Sequence, residues 1–187
     1  MKKLTFAIIA VLGMSFGALA QADTKTDNHT ITITIPEVAL LDIELAGTSK
    51  NISTAFTAPT EAGLAIIAPT TGLSSLWLNY SSIVDPAGGD PSRTVSVSAT
   101  SLVPGTVLNV SAGTPVIAGG TGGTPVAITS ISAVGQTIIS GIGSVYTGDG
   151  VGAGSNITYS LTAPAGAYGS LVAGSTPVIV TYTLSDN

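Results

Sequence analysis

Cysteine is absent from this 187-residue chain, and histidine occurs once, at His29. Thiolate nucleophiles are therefore excluded, and so are structural zinc sites, because these need several cysteine or histidine ligands. No lysine follows a glycine, which removes phosphate-binding loops of the usual type. The chain thus lacks the side chains of most recognisable active sites, and we expect a protein that is not an enzyme and uses no cofactor.

Charged residues are also scarce, at 8% of the chain, where about a quarter is typical. Beyond residue 22 the basic residues are Lys25, Lys50 and Arg93, against ten acidic residues, so the net charge there is −7. Three bases cannot form a basic patch, so neither nucleic acid nor an anionic membrane surface is an expected partner. An exported chain without cysteine has to be held together by packing rather than by disulfides.

The amino terminus has the pattern of a secretory leader. Lys2 and Lys3 precede an apolar run at residues 4–19, and Ala20-Gln21-Ala22 supplies the small residues that signal peptidase accepts. The run is short and polar sequence follows at once, which favours a cleaved peptide over a membrane anchor. We therefore expect residues 1–22 to be removed, leaving a bacterial secreted or cell-surface protein with no membrane span.

Directly after the leader, residues 30–35 read Thr-Ile-Thr-Ile-Thr-Ile. Ile31, Ile33 and Ile35 fall on one side of an extended chain and the threonines on the other, which is the period-2 signature of a half-buried strand. Pro36 follows and cannot donate to a ladder, so it marks an edge or a bend. Residues 23–36 are thus predicted to be either the first strand of their own domain or a donor arm that completes a neighbouring copy.

The remainder, residues 37–187, is predicted to be a single all-β domain. Short alternating segments are separated by Gly and Pro turns at 8–12-residue spacing, and no helical period is convincing. About ten short strands in an antiparallel β-sandwich of the immunoglobulin type fit this pattern. The predicted extended segments are 37–45, 52–56, 64–68, 73–84, 93–102, 106–112, 115–118, 126–134, 137–142, 156–163 and 177–184.

Two stretches carry a resemblance to a known family. Residues 28–42 join the alternating segment, its proline and a second extended segment, and residues 164–169 (PAGAYG) lead towards a closing alternating strand at 178–184. Together they resemble exported fimbrial subunits, in particular the cysteine-free pilins assembled by chaperone and usher, and more loosely spore-coat-type sandwich domains. Residues 170–176 lengthen the connection relative to the compact pilin pattern.

This resemblance implies a function. Subunits of that family lack one strand, and the N-terminal arm of the next subunit fills the resulting apolar groove by β-strand addition. It implies a fimbrial structural subunit that forms homo-oligomers or joins other surface subunits. Ile31, Ile33 and Ile35 would be the groove-filling side chains, and a periplasmic chaperone would protect the open groove before assembly.

A second interpretation is a self-contained, non-enzymatic binding module for carbohydrate or surface adhesion. Its candidate ligand-contact aromatics are Trp77 and Tyr146, the latter beside a glycine-rich loop that carries Asp149. A core position is the simpler interpretation of Trp77, because it lies in the middle of a predicted strand. Asp85, Asp90 and Asp149 could supply oxygen ligands to calcium, but their spacing favours ordinary turn chemistry, so no metal is predicted.

Overall fold

The computed structural model describes residues 25–70, 73–128 and 130–187. The chain divides into two units, Met1–Thr34 and Ile35–Asn187. The expected leader, residues 1–22, lies outside the described residues. Of the first unit, residues 25–34 are described; they belong to no strand, and their side chains are exposed.

The second unit consists almost entirely of strands. Strict alternation of β-branched and polar residues produces the longer ones, because each side of such a segment suits either the core or solvent. The ten strands are β1 (Val38–Leu45), β2 (Leu76–Ile83), β3 (Arg93–Thr100), β4 (Val107–Ala112), β5 (Gly119–Gly120), β6 (Thr124–Pro125), β7 (Gln136–Ile142), β8 (Val145–Tyr146), β9 (Ser155–Thr162) and β10 (Ile179–Asp186).

These strands form two antiparallel sheets. In the larger sheet β2 is central: β1 pairs along its whole length on one side, while β9 and β8 pair with its two ends on the other. The outer strands β4 and β5 extend this sheet from β9 and β8 respectively. The smaller sheet has the order β10-β3-β7-β6.

The core lies between the two sheets. Leu78 and Ile157 of the larger sheet are fully buried with Val95, Val97 and other inward residues of the smaller sheet. In β3 every second residue is inward, as the alternation predicts. The predicted fold class, an all-β antiparallel sandwich of about ten strands, is confirmed.

Several shorter predicted strands are wrong. Segment 52–56 forms no strand, segment 64–68 contributes only Ile67, which forms an isolated bridge with Thr57, and the described residues of 126–134 contribute only a bridge at Ile128. Leu64 and Ile67 are 60% and 56% exposed, so their side chains have no core to alternate against. Without burial of one face, apolar alternation gives such a segment little reason to join a sheet.

The glycine-rich stretch at residues 119–123 contains a short strand. Gly119 and Gly120 form β5, which pairs with β8. A Cβ placed on Gly120, which has a φ of +96°, would lie 2.1 Å from the carbonyl oxygen of Ser144, so the backbone approach there requires glycine. Glycine therefore serves here for close approach rather than for flexibility.

The turn predicted before the closing strand forms a 3₁₀ helix, Ala165–Ser170. The backbone N–H of Ile66 donates to the Tyr168 hydroxyl at 3.1 Å, which ties this helix to the long connection between β1 and β2. Among the described residues, no helix has the length and apolar character needed to cross a bilayer.

Candidate functional site

The first candidate feature is the alternating segment at residues 30–35, named the arm below. Ile31, Ile33 and Ile35 are 72%, 79% and 71% exposed. No ladder among the described strands includes the arm, so the expected half-buried first strand is not formed within this chain. Three β-branched apolar side chains in one row are thus left in solvent.

The second feature is a cleft between two sheet edges, β1 and β10. Among the described strands β1 pairs only with β2, and β10 pairs only with β3. The two strands also contact each other, so the open edges of both sheets lie on the same side of the sandwich. We name the space between them the cleft.

The walls of the cleft are apolar but incompletely covered. The inward residues of both strands are only partly buried, although they pack against the core; they are Leu41, Ile43, Leu45, Val180, Tyr182 and Leu184. Inward residues of β3, by contrast, are fully buried. A cavity of about 230 Å³ lined by Leu41, Ile43 and Tyr182, with Lys50 at its rim, opens here.

Tyr182 anchors the β10 wall through a second tyrosine. Its hydroxyl lies 2.7 Å from the hydroxyl of Tyr159 on β9, so the two phenols link the sheets across the core. Burial raises the pKa of both phenols, and at Tyr182 the neighbouring Tyr159 adds to that effect. Both groups therefore stay neutral and hydrogen-bonded at ordinary pH.

Arg93 closes one end of the cleft. It is 1% exposed and is the first inward residue of β3. Its Nε donates to Asp186 at 2.6 Å, its Nη2 donates to Glu37, and its Nη1 donates to the Val38 carbonyl at 2.7 Å. The sequence analysis did not single out Arg93. Its position two residues before Val95 places it on the inward side of β3, and this indicates a buried charge.

The same network explains an acidic cluster. Carboxylate oxygens of Glu37, Asp90 and Asp186 come within 4.8 Å of one another. The guanidinium of Arg93 binds two of these carboxylates, and its positive charge opposes a cation at the same place. The cluster is therefore organised around arginine and not around a metal ion.

The third feature is a slot on the outer face of the larger sheet. It has a volume of about 470 Å³ and lies over β2. Ser81 and Asn79 form its floor, since they are outward residues of β2. Leu40 and Asp42 of β1 form one wall, and Tyr146 and Asp149 form the other.

The structure separates the two candidate aromatics. Tyr146 is 57% exposed and lies opposite Ser81, where it lines the slot with Asp149. Trp77 lies outside the slot and opposite Glu44, about 13 Å along β2 from Ser81. The core position expected for Trp77 is wrong, because its side chain is half-buried on the outward face of β2. Outward residues of a strand cannot reach the inter-sheet core.

Charges beside the slot are mostly negative. Lys50 binds Asp42 at 3.1 Å, and this bond, with a second from the Ile43 backbone N–H, lowers the pKa of Asp42. The pKa of Glu44 is raised, first by partial desolvation and then by the charges of Asp42 and Asp149. Asp42 thus remains an ionised acceptor over a wide pH range.

The aspartates considered for calcium behave as turn residues in one loop. Asp85 and Asp90 pair across the turn between β2 and β3, and the Gly88 N–H donates to Oδ1 of Asp85 at 3.0 Å. Local side-chain-to-backbone bonds of this kind stabilise turns. Asp149 lies far along the chain, in the wall of the slot.

We compared the chain with family models, with curated proteins and with solved structures, and none of the three comparisons gave a match. Arguments about function consequently rest on the arm, the cleft and the slot.

Proposed function

We propose that this protein is an exported structural subunit that assembles by β-strand addition, with the arm of one copy entering the cleft of the next. The proposal rests on one observation: the arm has exposed apolar side chains, and the cleft has apolar walls that lack a covering strand. The arm presents a row of three exposed isoleucines, and the cleft has an apolar lining that its own strands leave partly uncovered. The assembly would lie at the cell surface, as in the fimbrial subunits that the sequence resembles.

The dimensions of arm and cleft support this pairing. Six extended residues span about 20 Å, somewhat less than the eight residues of β1 or β10. Burying each isoleucine fully would contribute about 1.5–3 kcal/mol. Backbone hydrogen bonds to an open sheet edge would set the register, as in other cases of strand addition.

Local chemistry argues against the arm filling the cleft of its own domain. Only Pro36 and Glu37 separate Ile35 from Val38, the first residue of β1. Two-residue hairpins use turns with a positive φ at the first central residue, whereas proline is held near −65°. The side chain of Glu37 is also bound by Arg93. A tight fold-back onto β1 is therefore disfavoured.

Register gives an independent reason. In a hairpin with a two-residue loop, Ile33 would lie opposite Leu40 and Ile31 opposite Asp42. Leu40 and Asp42 point outward, since the inward residues of β1 are Leu41, Ile43 and Leu45. Directly opposite residues share a face of the sheet. Such a hairpin would place the isoleucines on the outer face and leave the cleft open, which favours filling of the cleft by the arm of another copy.

An open cleft and an exposed apolar arm create a hazard before assembly. Unpaired edges and exposed β-branched rows promote non-specific pairing between chains. A periplasmic chaperone that covers the cleft transiently would remove this hazard, and we include such a partner in the proposal.

The proposal is tested with two matched substitutions in the full-length chain. Ile33→Asp places a charge on the apolar side of the arm, and Thr32→Asp places the same charge on its polar side. We expect multimers from the unsubstituted chain and from Thr32→Asp, and monomers from Ile33→Asp, because only the isoleucine side enters the cleft. Size-exclusion chromatography with light scattering measures the outcome, and circular dichroism verifies the fold.

Two results would contradict the proposal. One is multimer formation by Ile33→Asp equal to that of the unsubstituted chain. The other is an unsubstituted chain that remains monomeric at every concentration tested while retaining its fold.

A further inference from the structure

The slot on the outer face of the larger sheet has a built geometry of its own. Asn79, 5% exposed, donates from Nδ2 to the Gly150 carbonyl at 3.0 Å. This bond holds the loop that carries Asp149 upright beside β2. Gly148, at φ +92°, adopts a left-handed backbone conformation just after β8, and this conformation turns the chain into the loop. The wall is thus positioned by a buried amide and by a backbone conformation that favours glycine.

The width of the slot follows from cross-strand register. Leu40, Ser81 and Tyr146 lie in one row across β1, β2 and β8. The central residue is small and half-buried, whereas its two neighbours are large and exposed, at 65% and 57%. A small residue between two large ones leaves a depression. Its volume of about 470 Å³ is enough for a small molecule, and the depression is open to solvent.

The lining combines an aromatic face with several hydrogen-bonding groups. Tyr146 lies over Gly119 and offers its ring as a flat apolar platform with a polar tip. Asp42 and Asp149 accept hydrogen bonds from opposite walls, and the Ser81 hydroxyl can donate or accept at the floor. A ligand with one apolar face and hydroxyls around its rim satisfies all of these groups at once, and a sugar ring has that form.

Charge restricts the ligand further. Anions are disfavoured by Asp42 and Asp149, with Glu44 close enough for its pKa to respond to both. Lys50 pairs with Asp42 at 3.1 Å and offsets only part of this negative charge, so a cation is the rival ligand that the experiment has to test. A neutral polyhydroxylated ring is favoured because it uses the face of Tyr146 and the surrounding hydrogen-bonding groups together.

We propose that the slot binds a neutral saccharide of one or two units, with Tyr146 as the stacking platform and Asp42, Asp149 and Ser81 as hydrogen-bonding partners. The slot adjoins the assembly cleft, since Leu41 and Asp42 line both, but the inference does not depend on strand addition. The slot would thus be a ligand-binding surface on the outer face of the larger sheet.

The test uses ligand-observed NMR on the full-length protein. The probes are glucose, galactose, N-acetylglucosamine and lactose as neutral sugars, sialic acid as an anion, and choline as a cation. We expect saturation transfer to at least one neutral sugar and to neither charged probe. Tyr146→Ala, which removes the platform, and Ser81→Leu, which fills the floor, should each raise the Kd of that sugar about tenfold or more.

Tyr168→Ala is the matched control, because Tyr168 is a 36% exposed tyrosine on the 3₁₀ helix, outside the slot. It should leave the Kd within about twofold. Circular dichroism verifies that each variant is folded, and having two slot variants keeps the test decisive if one of them fails to fold. The proposal is overturned if no neutral sugar binds at millimolar concentration, if only a charged probe binds, or if folded slot variants bind as the unsubstituted protein does.

Discussion

Arg93 is a buried arginine whose charge is compensated on every side. Beyond Glu37, Val38 and Asp186, its Nη1 also donates to the Ser82 hydroxyl at 3.0 Å and to the Ile83 carbonyl at 2.9 Å. The partners come from the start of β1, the end of β2 and the end of β10. Burying a guanidinium is unfavourable unless its donors are satisfied, so this network is a structural joint between both sheets.

Substituting Arg93 should therefore destabilise the domain. In Arg93→Met the carboxylates of Glu37 and Asp186 lose their counter-charge but remain about half in water, at 46% and 52% exposure. We expect a loss of about 3 kcal/mol in the free energy of unfolding, at the lower end of the range for breaking a buried pair. Urea denaturation measures it.

The matched control for Arg93 is Lys50→Met, which breaks an ion pair whose partners are 52% and 61% exposed. Exposed pairs contribute about 0–1 kcal/mol, so this variant should stay within that range. Equal losses in the two variants would show that the Arg93 network does not hold the sheets together.

Buried tyrosines should govern stability at alkaline pH. Burial raises the pKa of Tyr80 from 10.0 to about 12 in the folded protein, and the Tyr159 and Tyr182 pKa values move in the same direction. A raised acid pKa means that the unfolded chain loses its proton first. Stability is then fully present below pH 10 and falls as pH rises towards 12.

Tyr80→Phe isolates this effect. At neutral pH the variant should be less stable by about 1–3 kcal/mol, because the buried carbonyl of Gly122 loses the hydrogen bond from the Tyr80 hydroxyl. Between pH 10 and 12 it should lose less stability than the unsubstituted protein. Urea denaturation midpoints measured across that interval test this expectation. If the midpoints of the two proteins fall in parallel with pH, ionisation of the Tyr80 phenol is not the cause of the alkaline loss of stability.

At the scale of elements, strand prediction succeeded where alternation was sustained against a core. β3, β9 and β10 were predicted to within about two residues at their ends, because apolar residues alternate with polar ones along most of their length. The pattern of residues 30–35 is stricter still, yet no ladder among the described strands contains them. Alternation indicates that a segment can form a strand, but it does not indicate whether the neighbouring strand belongs to the same chain or to another.

Edge strands should respond to assembly more than central strands do. β1 and β10 each have one paired side among the described strands, whereas β3 is paired on both sides. We expect the amides of β1 and β10 to exchange with deuterium rapidly in the Ile33→Asp monomer and more slowly in the wild-type multimer. Hydrogen-exchange mass spectrometry would show this difference while β3 stays protected in both states.

An absence of slowed exchange in β1 and β10 would place the assembly contact elsewhere on the molecule. Slowed exchange in β5 and β8 alone would point to the outer face as the interface instead.

At the scale of the whole molecule, low charge and exposed apolar side chains are compatible with the proposed assembly. Charged residues are 8% of the chain, and Leu40, Val172 and Ile179 are exposed along with the arm. A monomer with such a surface has limited solubility unless part of it is covered. Copies with the same acidic balance repel one another, so in the proposed assembly the driving force would come from burial of the isoleucine side chains of the arm.

Filling the cleft should stabilise the whole domain through mass action. A synthetic peptide of residues 28–37, added to Ile33→Asp monomers at a hundred times its Kd, should raise the free energy of unfolding by about 2.7 kcal/mol. A peptide of the same composition in scrambled order should not. Thermal denaturation measures both, and equal shifts from the two peptides would contradict a specific cleft.

The sequence by itself determined the all-β class, the approximate number of strands and the lack of thiol or zinc chemistry. These are consequences of composition and of period-2 alternation, which are local properties of the chain. The same local pattern identified Ile31, Ile33 and Ile35 as a row, and Tyr146 as an aromatic beside a glycine-rich loop.

Only the tertiary structure decided which groups meet. Arg93 lies 56 residues from Glu37 and 93 from Asp186 along the chain, and no local pattern encodes that joint. The cleft exists because β1 and β10 lie at edges of different sheets, and the slot exists because Ser81 falls between Leu40 and Tyr146 in cross-strand register. The same register places Trp77 on the outward face of β2, opposite Glu44. Sites formed between strands depend on non-local pairing, which alternation along a single strand cannot specify.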